Sequence, residues 1–309
     1  MNILITGIHG FVGSNLVNSL KHTHTLYGLD IVQPMKDGIV KTYSWDDLDQ
    51  ITDIDAVIHL AGKAHDTKNK SAAQIYFDIN TGLTQKILDW FGKSKAKSFL
   101  FFSSVKAAAD SVTSDFLTEE VIPAPKGPYG ESKIKAEAYI LNKQLDFPGK
   151  QVVILRPCMI HGPGNKGNLN LLYKVVSKGI PWPLGAFENL RSFTSIDNLC
   201  FAVEGLITNE IESGIYHIGD DEAISTNQLI QLIAESVNKK PIIMNIPKGF
   251  MNGVAKIGDY CHLPLDSQRL HKLTENYVVS NRKLKQALGV ERMPVTAIDG
   301  LKKTLKSFK

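Results

Sequence analysis

The apolar positions of this chain alternate between short continuous runs and helical spacing. Asn2 to Thr6 is an apolar run that ends at a glycine, and the apolar residues from Phe11 to Leu20 recur at helical spacing. The sequence therefore begins with a predicted strand, a tight turn and a predicted helix.

The same alternation continues through the first half of the chain. Further strands are predicted at residues 25–29, 38–43, 56–60, 98–102 and 151–155, and helices at 71–91 and from 128 onward. Repeated crossovers of this kind predict a parallel sheet with helices on both faces. The expected fold class is α/β, a Rossmann-type doubly wound parallel sheet with a smaller α/β substrate-binding lobe.

The regular alternation stops after Pro157, where a turn-rich loop and more widely spaced helices follow. We therefore expect residues 1–160 to form the dinucleotide-binding domain, including the catalytic residues. Residues 161–309 are expected to form mainly the substrate-binding lobe, with a segment at about 190–220 returning to the first domain.

Three glycines occupy the turn between the first strand and the first helix. Gly7, Gly10 and Gly13 allow a sharp turn and close approach of a phosphate, and the helix N-terminus offers free N–H groups. Asp30 ends the second strand, where a carboxylate can bind the ribose hydroxyls and repel a 2′-phosphate. The pattern favours NAD over NADP; the alternative is a tight turn with a solvated Asp30.

Composition and charge change this picture little. The chain has 309 residues, is 43% hydrophobic and carries a net charge of +4, which is typical of a soluble globular protein. Its basic C-terminal helix, 302–309, is interpreted as a solvated face, and no apolar stretch is long enough for a membrane helix. We expect a cytoplasmic protein without nucleic acid or membrane partners, and no metal, because the three cysteines lack ligand spacing.

The segment from Thr6 to Gly13 reads TGIHGFVG and resembles the TGxxGFxG motif of the extended short-chain dehydrogenase/reductase family. The similarity is to its NAD-dependent epimerase/dehydratase branch, of the UDP-glucose 4-epimerase type. It implies bound NAD, a nucleotide-sugar substrate, and a homodimer formed through the helices at 71–91 and 129–145.

The resemblance also implies a set of cofactor contacts. Leu60 to Lys63 resembles a loop that lies along the cofactor, whereas Ser44 and Trp45 replace the family's usual residues beside the adenine. Trp45 could flank the adenine or merely pack. The expected cofactor-binding residues are Gly7, Gly10, Phe11, Val12, Gly13, Asp30, Ser44, Trp45, Leu60, Ala61, Gly62, Lys63, Asn80, Tyr129, Lys133 and Pro157.

Tyr129 and Lys133 are four residues apart and therefore face the same way on a helix. Lys133 and the positive nicotinamide ring would favour the phenolate of Tyr129, whose ordinary pKa is near 10. Ser104 follows the preceding strand, where its hydroxyl can bond the same substrate oxygen. Ser104, Tyr129 and Lys133 resemble the family's catalytic triad.

The second half of the chain supplies the expected substrate contacts. Asn168-Leu169 resembles a segment that contacts the nucleoside diphosphate, and Arg191 resembles an arginine of the nucleotide-sugar branch, with Arg269 as a further candidate. A guanidinium can bond diphosphate oxygens bidentately, although either arginine could instead form a structural ion pair. Ser104 and Lys106 complete the expected substrate-binding set.

These residues predict an NAD-dependent epimerase acting at C4 of a UDP-hexose or UDP-N-acetylhexosamine through a 4-keto intermediate. One alternative is a 4-ketoreductase of a UDP-4-keto-6-deoxy-N-acetylhexosamine; another is a non-catalytic dinucleotide-binding sensor, for which a tuned phenol would have no use. Val105 and Lys106 occupy the places where 4,6-dehydratases carry an Asp-Glu pair, so dehydration is not expected.

Overall fold

A computed structural model describes residues 1–64, 72–165, 167–261 and 265–308. The strands are β1 Asn2–Thr6, β2 Thr25–Leu29, β3 Ile39–Tyr43, β4 Ala56–His59, β5 Ser98–Phe102, β6 Gln151–Pro157, β7 Met159–His161, β8 Leu190–Arg191, β9 Phe193–Ser195, β10 Gly214–Ile218 and β11 Ile224–Ser225. The helices are α1 Phe11–Leu20, α2 Ala73–Tyr76, α3 Leu83–Lys93, α4 Val105–Ala108, α5 Pro128–Lys143, α6 Asn168–Ser177, α7 Ile196–Thr208, α8 Thr226–Ser236, α9 Lys248–Cys261, α10 Ser267–Thr274, α11 Arg282–Leu288 and α12 Ala297–Lys306.

Within these described residues, seven strands form one parallel sheet in the order β10-β6-β5-β4-β1-β2-β3. The chain winds outward in both directions from β1, so β1 and β4 are neighbours at the point where the strand order reverses. In open α/β sheets, ligands bind in the crevice beyond the carboxyl ends of the strands at such a point. The predicted doubly wound α/β fold is confirmed.

Helices cover both faces of the sheet. On one face, α1 and α7 bury Leu16, Leu20 and Val203 against the sheet, and on the other, α3 and α5 bury Phe91 and Ile140. This arrangement explains why the central strands are apolar on both sides, as the continuous apolar runs in the sequence predict. It also brings the start of α5, which carries Tyr129, to the same edge as the ends of β4 and β5.

The rest of the chain surrounds this unit on the side of the strand ends. Helices α6, α8 and α12 enclose a separate core cluster that includes Leu169, Ile233 and Leu301. The segment 196–218 instead packs on the sheet as α7 and β10. In the described part of the chain, none of the helices has both the length and the apolar character to span a bilayer.

The prediction of a single helix over residues 71–91 is wrong in detail. The structure has the short α2, a π-helical turn at Phe77–Gly82 and then α3, which extends to Lys93; Ser71 lies outside the described residues. A π turn widens the helix by one residue and often marks a functional site. Within this turn, the side chains of Asn80 and Thr81 donate to the hydroxyl and the carbonyl of Ser132 on α5.

A buried ion pair joins α5 to β6 beneath the edge of the sheet. Glu137 and Arg156 are 0% and 1% exposed, with Arg156 Nε 2.9 Å from Oε1 and Nη2 2.5 Å from Oε2 of Glu137. The hydroxyl of Ser103 donates to Oε1 of the same carboxylate. Since Ser103 precedes Ser104 and Glu137 lies one turn after Lys133, this group fixes the strand end relative to the helix.

Removing one partner of this ion pair should therefore destabilise the folded protein. Arg156→Met leaves the Glu137 carboxylate buried without its counterion, so the free energy of unfolding should fall by about 3–5 kcal/mol in urea denaturation. The double variant Arg156→Met with Glu137→Leu should recover much of that loss, because no uncompensated charge remains. Additive losses in the double variant would contradict this account of the pair.

Candidate active site

The glycine turn lies at the point where the strand order reverses. Gly7 adopts φ +73°, and its N–H donates to the Leu29 carbonyl at 2.9 Å. A Cβ on Gly13 would lie 2.3 Å from the Gly7 carbonyl oxygen, so the turn and α1 approach too closely for a side chain. Among the described residues, no side chain caps the N-terminus of α1, so its N–H groups are available to a pyrophosphate.

Asp30 lies beside this turn at the end of β2. Its carboxylate is 8% exposed and accepts hydrogen bonds from the backbone N–H groups of His9 at 3.2 Å and Ile31 at 2.7 Å. These bonds hold an acidic group at the second-strand position that suits ribose binding. Phe11 and Val12 form the half-buried first turn of α1.

Ser44 and Trp45 make contacts within the protein. The Ser44 hydroxyl donates to Asp47 at 2.6 Å, and the Trp45 ring packs edge-on to His59 with ring centroids 6.3 Å apart. Of the two alternatives for Trp45, packing is therefore observed, because its ring covers the apolar core beside β4. Contact of Ser44 or Trp45 with an adenine stays a prediction.

A buried chain of hydrogen bonds ties β1 to β4 behind the turn. The Thr6 hydroxyl accepts from the N–H groups of Leu60 at 3.1 Å and Ala61 at 2.9 Å, so its own proton is directed to Nδ1 of His59, 2.8 Å away. Burial lowers the pKa of His59 to about 3, which keeps the ring neutral. Its remaining proton is then on Nε2, facing the Thr84 hydroxyl at 3.0 Å.

Asn80, in the π turn, continues this network toward α5. Its backbone carbonyl accepts from Thr84, and its side chain accepts from the Lys63 N–H at 2.7 Å and donates to the Ser132 hydroxyl at 2.9 Å. Ser132 in turn donates to the Tyr129 carbonyl at 2.8 Å. The loop after β4, predicted to contact the cofactor, is thereby fixed to the first turn of α5.

Ser104, Tyr129 and Lys133 meet at the carboxyl end of the sheet. Ser104 is the N-cap of α4 directly after β5, and its hydroxyl bonds with the phenol of Tyr129. Lys133 is 5% exposed and donates from Nζ to the Phe102 carbonyl at 2.7 Å. A Cβ on Gly62 would lie 3.3 Å from the same Nζ, so the loop after β4 passes directly over the lysine.

Burial is the main influence on the ionisation of Tyr129 and Lys133 in the protein alone. It raises the pKa of Tyr129, and the hydrogen bond with Ser104 partly opposes that shift. Burial also lowers the pKa of Lys133 to about 8, with the Glu137 carboxylate opposing the shift. The effect of a bound nicotinamide on the Tyr129 phenol stays a prediction.

A cavity of about 960 Å³ is lined by Ser104 and Tyr129 together with Leu172, Trp182 and Leu229 from the second half of the chain. This volume is within the range of small-molecule sites, which are mostly apolar with a few directed polar groups. The cavity can therefore enclose a ligand larger than a single sugar.

Four of the predicted substrate-binding residues besides Ser104 line this cavity: Lys106, Asn168, Leu169 and Arg191. Arg191 contacts the Glu275 carboxylate at 3.5 Å, and its buried Nε has no hydrogen-bond partner among the described residues. Lys106 bonds the Asp110 carbonyl at 2.8 Å. Arg269 does not line the cavity; it is 61% exposed and 3.6 Å from Asp266.

Several cavity residues were missed from the sequence. Tyr277 is buried, donates to the Ala109 carbonyl at 2.8 Å and lies under Lys106, whose Nζ is 4.5 Å from its ring centroid. Tyr76 packs edge-on to Tyr129, with centroids 6.4 Å apart. Glu275 was missed because its segment shows no periodicity, whereas Tyr76 lies directly before the π turn that the sequence did not indicate.

Comparison with known proteins agrees with this geometry. Residues 3–219 match the model of the NAD dependent epimerase/dehydratase family, and the chain belongs to that family. It is 31% identical to a UDP-glucose 4-epimerase of Vibrio cholerae, over 99% of this chain and 95% of that protein. The family assignment confirms the predicted resemblance.

Two further proteins are similar over nearly the whole chain. The N-acetyl-α-D-glucosaminyl-diphospho-ditrans,octacis-undecaprenol 4-epimerase of Escherichia coli O157:H7 is 27% identical over 96% of this chain and 88% of that protein. The crystal structure of the Thermotoga maritima UDP-glucose 4-epimerase with UDP-glucose superposes with a TM-score of 0.77 and 22% identity, covering 100% of this chain and 98% of that one. The similarity to the Thermotoga maritima structure supports the fold.

The residues present fit the family's cofactor. The glycine turn is a cradle that a side chain at Gly13 would fill, and Asp30 is held beside it for the ribose. Gly62 lies against the side chains of Asn80 and Lys133, and Pro157 ends strand β6. When bound, NAD supplies a site that accepts and returns a hydride.

The buried amine of Lys133 gives a prediction for stability against pH. The pKa of Lys133 is about 8 in the folded protein and 10.5 ordinarily. As the pH rises, the folded protein therefore loses this proton before the unfolded protein does. The parent accordingly gains stability as the pH rises from 8 to 10. Lys133→Met should therefore have the higher melting temperature at pH 7, with a gap that narrows as the pH rises from about 8 to 10.5.

Lys135→Met is the matched control, because Lys135 is exposed on the same helix and should show no such pH-dependent gap. Melting temperatures would be measured by calorimetry for all three proteins across this pH range. A gap for Lys133→Met that stays constant with pH would contradict the buried, easily deprotonated amine.

Proposed function

We propose that the protein is an NAD-dependent epimerase that inverts C4 of a UDP-hexose or UDP-N-acetylhexosamine. The observation that carries the proposal is the hydrogen bond between Ser104 and the Tyr129 phenol at the wall of the large cavity, one helical turn from Lys133. A protein that only senses dinucleotide would not need this arrangement. The similarity to two 4-epimerases points to the same reaction.

The catalytic residues act on the C4 hydroxyl of the sugar. Tyr129 takes its proton while Ser104 holds the oxygen; NAD, held by the glycine turn and Asp30, would supply the hydride acceptor that lets C4 become a ketone. Rotation of the ketone within the cavity presents its other face to the returning hydride. Tyr129 then returns the proton, so that the sugar is inverted and no net oxidation occurs.

The remaining cavity wall suits the nucleoside diphosphate. Arg191 presents a buried, unpartnered Nε, and Lys106 carries a second cation near Ser104. Together they provide charge for the diphosphate oxygens, while Asn168 and Leu169 lie at the start of α6 beside them. We place the substrate between the sheet domain, residues 1–160, and the lobe formed mainly by residues 161–309.

We also infer a homodimer in the cytoplasm. Helices α3 and α5 lie side by side on one face of the sheet, joined by the Tyr139 hydroxyl donating to Asp89 at 2.6 Å. Trp90 and Leu141 are only half-buried there. These are the helices through which the family resemblance implies pairing.

The experiment is incubation with a panel of UDP-sugars, followed by NMR of the C4 configuration. The parent should interconvert UDP-GlcNAc and UDP-GalNAc, or UDP-Glc and UDP-Gal, without added reduced cofactor. Tyr129→Phe should retain cofactor and substrate binding, because it removes only the acid/base hydroxyl. Its turnover should fall by about a hundredfold or more.

Two outcomes would redirect the proposal. If none of these sugars interconverts but a 4-keto-6-deoxy UDP-sugar consumes one NADH or NADPH per product, the enzyme is a 4-ketoreductase. The segments 103–106 and 191–193, Ser-Ser-Val-Lys and Arg-Ser-Phe, resemble those of such reductases and favour that alternative. A Tyr129→Phe variant within about fivefold of the parent would remove Tyr129 from the acid/base role.

A further inference from the structure

The loop between β2 and β3, residues 30–38, runs back along the sheet as irregular chain. The two strands are parallel, with Leu26 beside Ile39 and Leu29 beside Tyr43. The loop must therefore lead from the carboxyl edge of the sheet back to the opposite edge. Its first residues leave the sheet at the edge that carries the glycine turn.

Three large apolar side chains near the start of this loop are exposed. Ile31, Val32 and Met35 are 84%, 47% and 103% exposed. Ile31 directly follows the buried Asp30, whose carboxylate accepts hydrogen bonds from the N–H groups of His9 and Ile31. A group of exposed apolar side chains on a globular protein marks a contact site for a ligand or a partner.

The second part of the loop is fastened to α1. Lys36 Nζ donates to the Ser14 hydroxyl at 2.9 Å, and Lys21 Nζ lies 2.5 Å from the Asp37 carboxylate. Ser14 is itself joined to the glycine turn, because its hydroxyl donates to the Ile8 carbonyl at 3.3 Å. These contacts hold the apolar part of the loop between α1 and the end of β2, beside the dinucleotide site.

The adenine of NAD must lie within reach of this loop. Asp30 is placed to bind the ribose hydroxyls of the adenosine, and the adenine is bonded directly to that ribose. Ser44 and Trp45, which follow β3, are engaged within the protein, Ser44 with Asp47 and the Trp45 ring with His59. Exposed apolar side chains beside Asp30 are supplied instead by the loop.

We propose that this loop forms the adenine-binding wall of the cofactor site, with Ile31, Val32 and Met35 covering a face of the adenine ring. The faces of an adenine are flat and largely apolar, so the contact removes apolar surface of both partners from water. Methionine suits this role, because its flexible thioether adapts to an aromatic ring and its sulfur makes favourable contacts with it. The proposal assigns adenine binding to residues outside the set that the family resemblance implies.

This assignment rests on the binding of NAD and not on the reaction proposed above. ADP-ribose contains the adenosine and both phosphates of NAD but no nicotinamide, so its binding can be measured without turnover. Failure of the adenine assignment would leave the C4 chemistry unaffected. Conversely, a protein that does not epimerise any of the UDP-sugars could still bind ADP-ribose through this loop.

The first experiment uses methionine methyl groups as reporters. The chain has six methionines, so protein labelled with carbon-13 at these methyls gives a simple NMR spectrum, in which Met35→Leu identifies the Met35 signal. ADP-ribose should move this signal upfield, because the ring current shields a methyl group that lies over an aromatic face. Nicotinamide mononucleotide, which lacks the adenine, should leave it in place.

The second experiment measures the dissociation constant of ADP-ribose by isothermal titration calorimetry. The double variant Ile31→Ser with Met35→Ser should raise this constant about tenfold or more, because the adenine loses its apolar cover. The melting temperature of the variant without ligand should match the parent, because both side chains are exposed. The matched control is Ile122→Ser with Leu145→Ser, which removes side chains that are 87% and 78% exposed elsewhere and should leave the constant unchanged.

Three results would overturn the proposal. One is a Met35 signal that does not move at saturating ADP-ribose, and another is a double serine variant that binds ADP-ribose within about twofold of the parent. The third is a Trp45→Leu variant that stays folded and loses ADP-ribose affinity while the double serine variant keeps it, which would assign the adenine contact to Trp45.

Discussion

The site depends on the hydrogen bonds of one buried hydroxyl, that of Thr6. Two backbone N–H groups of the loop after β4 donate to it, and its own proton goes to His59. This fixes the ends of β1 and β4 at the place where the strand order reverses. The glycine turn on one side and the loop near Lys133 on the other are therefore positioned by the same oxygen, inside a sheet where an unpaired polar group would be costly.

From Thr6 the network passes through His59 and Thr84 to Asn80, and from Asn80 to the first turn of α5. The π turn that contains Asn80 is thus tied to α5 by tertiary contacts. On the other side of α5, the Glu137–Arg156 pair ties the helix to β6. Helix α5 is therefore held by polar contacts on both sides of Lys133, one turn from Tyr129.

Much of the fold and the site could be predicted from the sequence because each rests on local signals. The apolar runs predict the strands, and the glycine spacing predicts the turn. The four-residue spacing of Tyr129 and Lys133 predicts that both lie on one face of a helix. Contacts between distant segments could not be predicted. Glu137 reads as an ordinary helix-surface residue, and only the fold reveals its pairing with Arg156. Arg269 was a candidate because its segment matches the family loosely; it is 61% exposed and does not line the cavity, and its contact with a diphosphate stays a prediction.

The central claim is that hydride leaves C4 of the sugar and returns to the same carbon within one active site. It is tested most directly with a UDP-sugar that the enzyme accepts, carrying deuterium at C4, incubated in ordinary water until the two C4 configurations have equilibrated. Mass spectrometry and NMR of both sugars should find the deuterium still at C4, because the hydride is held by bound NAD between its departure and return. Loss of deuterium from C4 to solvent would contradict the account.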